Sequence, residues 1–79
     1  MKSYALWELR TNNLIREFDN ERDALALAIR FIERNGQDSI EHLSLTVEDE
    51  QGEGSLVAHG QELVDLARRD RVRSARIAS

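Results

Sequence analysis

From Tyr4 to Leu9 the chain reads Tyr-Ala-Leu-Trp-Glu-Leu, rich in aromatic and aliphatic residues and without a helix cap, which predicts a strand. Arg10-Thr11-Asn12-Asn13 follows. Asn tolerates the left-handed backbone better than other residues with a side chain, so Asn12 or Asn13 is expected to close a tight hairpin. Leu14 to Phe18 is the returning strand, with Leu14, Arg16 and Phe18 on one face and Ile15 and Glu17 on the other.

Asp19-Asn20 reads as a helix start, with Asn20 as cap and Asp23 three residues on as an approximate capping box. Leu25, Ala28, Ile29 and Ile32 recur at helical spacing, widened by Ala24, Leu27 and Phe31. Arg22, Ala26, Arg30, Glu33 and Arg34 fall toward the opposite side. Asn35-Gly36 ends the helix. Gln37 to Ser39 reads as a linker. Ile40 to Glu48 then alternates, with Leu43, Leu45 and Val47 on one face and His42, Ser44, Thr46 and Glu48 on the other, which predicts a strand with one buried side. Asp49 to Gly54 is a turn. Ser55 to Ala58 is a short strand with Leu56 and Ala58 on one side and Val57 on the other. His59 or Gly60 opens a second helix with Leu63, Val64, Leu66 and Ala67 as its apolar stripe, fraying from Arg68 onward.

The order is strand, strand, helix, strand, strand, helix. Two hairpins merging into one sheet give an α+β fold, a two-layer sandwich with a four-stranded antiparallel sheet and two helices on one face (ββαββα). Residues 1–70 are expected to form this single domain and residues 71–79 an arginine-rich C-terminal tail. The first strand departs from the pattern of a half-solvated sheet. Ala5, Trp7 and Leu9 point one way, and Tyr4 and Leu6 point the other. Either the strand is central and covered by the tail or a loop, or one of its sides is a self-association surface. Tyr4, Leu6, Trp7 and Phe18 are the interface candidates.

Composition sharpens this picture in a few places. The chain has 79 residues, 41% hydrophobic and 33% charged, a globular balance. It contains no Cys, which excludes disulfides, thiolate metal sites and cysteine nucleophiles. No apolar run approaches the roughly 20 residues of a membrane-spanning helix, and the opening residues lack the apolar segment of a signal peptide, so a cytoplasmic protein is expected. A core of this size seldom supplies more than about 3–5 kcal/mol, which favours a homodimer.

Signatures of chemistry are sparse. His42 and His59 are distant in sequence and form no metal-binding pair. The acidic turn from Glu48 to Glu53 lacks the ligand pattern of a calcium loop and reads as a solvated hairpin tip. Ser, His and Asp are present, but no Ser sits in a nucleophile-elbow context, and Gly52 and Gly54 do not form a phosphate loop. No enzyme, metal or cofactor is expected. The charge is segregated, however. Residues 1–67 hold six basic and fourteen acidic groups, whereas Arg68, Arg69, Arg71, Arg73 and Arg76 face only Asp70 in the rest of the chain. Such a basic tail can contact nucleic acid or an acidic partner, although no aromatic residue interleaves it.

Tyr4-Ala5-Leu6-Trp7, Asn13-Leu14-Ile15 and Phe18-Asp19-Asn20-Glu21 leading into Ala24-Leu25-Ala26 resemble small uncharacterised bacterial proteins that pair a hairpin with a helix opened by an acidic cap. The bias of ten Arg to one Lys fits a GC-rich bacterial genome. The hairpin-to-helix segment is also similar to the start of HicB-type antitoxins, in which Glu- and Ala-rich helices follow a strand. Those have three strands before the helix and a Pro-Gly turn, whereas this chain has two strands and no Pro. The expected function is a non-enzymatic, self-associating protein-interaction or regulatory module. The alternative is a small antitoxin-like regulator that contacts nucleic acid through the C-terminal arginines.

Overall fold

The computed structural model describes residues 2–78, with side chains through residue 72. The elements run β1 (Ser3–Glu8), β2 (Asn13–Phe18), α1 (Glu21–Asn35), a 3-10 helix (Gln37–His42), β3 (Leu43–Glu48), β4 (Gly54–His59) and α2 (Gln61–Ala78). The strands form one antiparallel sheet in the order β2-β1-β3-β4. Both helices pack on one face of it, giving the expected α+β sandwich.

Each local turn has a visible cause. Asn12 takes the left-handed conformation, φ 58°, and closes the first hairpin. Beside it the Glu8 carboxylate accepts hydrogen bonds from the Thr11 hydroxyl and from the backbone N–H groups of Arg10 (2.9 Å) and Thr11 (3.0 Å). These bonds, the Thr11 hydroxyl foremost, hold the Glu8 carboxyl below its ordinary range. Asn20 caps α1: its side-chain oxygen accepts from the Asp23 N–H at 2.9 Å, and its amide donates to the Asp23 carboxylate at 3.0 Å. Gly36, at φ 91°, ends the helix by donating to the Ile32 carbonyl. In the second hairpin the Asp49 carboxylate accepts from the N–H groups of Gln51 and Glu53, both at 2.9 Å, which gathers the acidic turn around its own backbone.

The core lies between the sheet and the helices. Leu6, Leu43, Leu45 and Ala58 of the sheet meet Ala24, Leu25 and Ala28 of α1 and Leu63 and Ala67 of α2. Leu6, Leu43, Leu45 and Leu63 are wholly buried.

Four expectations require correction. The strand foreseen from Ile40 begins at Leu43. The preceding residues wind into the 3-10 helix, where the Ser39 hydroxyl and N–H both return to the Gly36 carbonyl and Ile40 is buried. The face assignment of β2 fails because the β1–β2 register shifts between Leu6 and Trp7. Phe18 pairs with Tyr4 and Leu14 with Trp7, so these two β2 residues lie on opposite faces, and Ile15 packs against the core. A second shift, between Leu45 and Thr46, separates Leu56 from Ala58 in the same way and leaves Val57 between them, packed against the core. Finally, α2 does not fray at Arg68. It runs unbroken through Ala78, across the start of the expected tail, because its Arg and Ala residues favour helix and no Gly or Pro interrupts them.

Candidate interaction surface

The sheet has a second face, turned away from the helices, and its residues follow from the register. Ala5 and Trp7 of β1 lie there. Leu14 of β2 stands beside Trp7. Ser44 of β3 stands beside Trp7 on its other side, and Thr46 lies between Ala5 and Leu56 of β4. The Trp7 indole reaches diagonally across to β3, where its Nε1–H donates to the Thr46 hydroxyl at 3.1 Å. This lays the ring along β3 beside Ser44, which is only 6% exposed although no second layer covers this face among the described residues. The indole N–H is satisfied, and Trp7 as a whole is half-buried.

Flanking Trp7 are two apolar side chains in solvent: Leu14 is 43% exposed and Leu56 62% exposed. A band of Leu14, Trp7, Thr46 and Leu56 therefore crosses all four strands, with Glu17 beside Ala5 and Glu48 beside Ser3 as the carboxylates on the same face. Single exposed apolar residues are ordinary, but a contiguous set on one open face marks a contact surface.

The four interface candidates do not stay together. Only Trp7 lies on the open face. Leu6 is wholly buried beneath the helices, and Tyr4 and Phe18 pack against the same core. Phe18 is also flanked by the Arg16 guanidinium, 5.8 Å from its ring centre. Strict alternation placed Leu14 with Phe18 and Leu56 with Ala58, so the pattern concealed Leu14 and Leu56 as members of the open face.

Of the C-terminal arginines, Arg68 and Arg69 are exposed on α2, and Arg69 Nε approaches the Asp65 carbonyl at 3.4 Å. Arg71 meets Glu33 of α1 at 4.0 Å, and Arg22 of α1 meets Asp70 at 3.8 Å. The side of α1 expected to face solvent thus borders α2 across a groove of about 350 Å³ lined by Ile29, Ala67 and these charged groups. The Arg73 and Arg76 side chains lie outside the described residues.

The groove contains no nucleophile paired with a base, and its ion pairs are long and open to water, where such pairs contribute little. Among the described residues no three His, Asp or Glu side chains gather as a metal site. His42 is half-buried at the end of the 3-10 helix, and His59 Nε2 lies 3.0 Å from the Glu41 carbonyl. None of the described helices is long and apolar enough to cross a membrane. No family model, curated protein or solved structure matches the chain.

Proposed function

We propose that this chain is a non-enzymatic, cytoplasmic interaction module that associates with a second copy of itself through the helix-free face of its sheet. The observation that carries this reading is the uncharged band of Leu14, Trp7 and Leu56 on that face. The core supports it from the other side: Leu and Ala side chains make it up, and a chain of 79 residues with no disulfide gains stability from burying further apolar area. A second copy suits the band because the apolar side chains of Leu14, Trp7 and Leu56 match their own kind.

Sedimentation over a range of concentrations tests the reading. Wild type is expected to sediment as an oligomer. Trp7→Glu and Leu14→Glu are expected to lower the assembly state while the circular dichroism stays native-like, because a carboxylate buried in an apolar contact loses its hydration without gaining a partner. A wild type that remains monomeric at high concentration sinks the proposal.

A second reading draws on α2. Its arginines sit on a continuous helix, and Arg68 and Arg69 face solvent, as an antitoxin-like regulator contacting nucleic acid would require. Titration of duplex DNA at two salt concentrations separates the readings, since phosphate contacts weaken steeply with salt.

A further inference from the structure

The two outer strands of the sheet are built differently. Both contain a register shift, but β2 bears Arg16 and Glu17, a charged pair of the kind that discourages strand addition. β4, Gly-Ser-Leu-Val-Ala-His from Gly54 to His59, carries no Lys, Arg, Asp, Glu or Pro along six residues. It pairs with β3 on one side only, so its other edge presents backbone N–H and C=O groups with no strand beside them. Three of its first four side chains, those of Ser55, Leu56 and Val57, are exposed or half-exposed.

We infer that β4 is a second contact surface, on which β4 of another copy adds antiparallel and joins the two sheets into one of eight strands. An extended peptide from a different protein could use the same hydrogen bonds. A second copy is favoured by what the antiparallel arrangement brings together. When Leu56 of one copy lies opposite Leu56 of the other on a twofold axis, the most exposed leucine of the chain is covered by its own twin. Ser55 then lies opposite Val57. The acidic turn from Glu48 to Glu53 of each copy comes beside His59 of the other and the first turn of its α2, which carries Glu62, and is thereby held apart from its own twin. The opposite, parallel arrangement would set the two acidic turns against each other. The edge is perpendicular to the helix-free face, so a copy paired on β4 leaves Trp7 free.

This inference rests on the reading that the chain self-associates and names a surface distinct from the Trp7 face. Amide hydrogen exchange of the full chain at low and high concentration tests it, together with the variant Ser55→Lys. Ser55 is exposed and lies opposite Val47, outside the band of Leu14, Trp7 and Leu56, and a lysine on an edge strand opposes pairing. The outward amides of residues 54–59 are expected to exchange about tenfold more slowly once about nine-tenths of the chains are paired, with residues 13–18 unchanged. The variant is expected to lose that protection and to sediment at a lower mass, including in the Trp7→Glu background. Should wild type self-associate with no change at residues 54–59, or the variant sediment as wild type does, the edge contact is wrong and the face contact stands. A monomeric wild type removes both.

Discussion

Leu6 and Trp7 adjoin in the chain and lie on opposite sides of the sheet, and their substitutions should separate stability from association. Leu6 is wholly buried among Leu45, Leu25 and their neighbours. Leu6→Ala should therefore cost about 2–5 kcal/mol in a urea melt. Ile29, which the helical stripe aims at the sheet, is only half-buried and borders the groove between the helices. Ile29→Ala should cost clearly less than Leu25→Ala, and equal losses would show that the groove is closed in solution. At Glu8 the expected effect depends on pH. Hydrogen bonds led by the Thr11 hydroxyl lower its pKa in the fold, so the stability it contributes is complete above the ordinary carboxylate range and is lost as pH falls through the lowered value. Glu8→Gln should destabilise the first hairpin at neutral pH and converge with wild type in acid. A constant difference across that range would show that the charge of Glu8 is immaterial.

At the scale of elements, α1 was legible because three independent signals agree on it: the Asn20 cap, the apolar periodicity and the Gly36 stop. Asn20→Ala should cost about 0.5–2 kcal/mol, and Asp23→Ala should show a smaller loss, since the first removes both reciprocal bonds and the second leaves the bond from the Asp23 N–H to Asn20. The strands were legible as segments but only partly as faces. Period-two alternation assigns sides correctly until a bulge adds one residue, after which every assignment beyond it reverses. Both β2 and β4 contain such a shift, and both lie at the edges, where bulges concentrate. Leu14 and Leu56 were therefore grouped with Phe18 and Ala58, whereas Ala5 and Trp7 of β1 and Ser44 and Thr46 of β3 were grouped as the register has them. The 3-10 helix escaped for a related reason. Residues 40–42 continue the alternation of β3, and only the return of Ser39 to the Gly36 carbonyl curls them away from the sheet.

At the scale of the whole molecule the decisive quantity is charge. Each chain carries a formal charge of −4, and the band on the sheet contains none of it. Two copies meeting through that band or through β4 bring like-charged bodies together around an apolar contact, with Glu17 and Glu48 on the same face as the band, so their repulsion acts around the contact rather than within it. Salt shortens the reach of that repulsion to about 10 Å at 0.1 M and about 3 Å at 1 M while leaving apolar burial intact. Self-association should therefore strengthen modestly as sodium chloride rises from low to near-molar concentration, seen as a shift of the sedimentation isotherm to lower protein concentration. Contact between the arginines of α2 and an acidic surface has the opposite sign. Arg68 and Arg69 lie in the open, and an assembly in which they meet the Glu48–Glu53 turn of another copy would weaken with salt, as nucleic-acid binding would. The direction of the shift thus assigns the contact to the sheet or to the helix. Weakening with salt would transfer the interaction surface from Trp7 and β4 to α2.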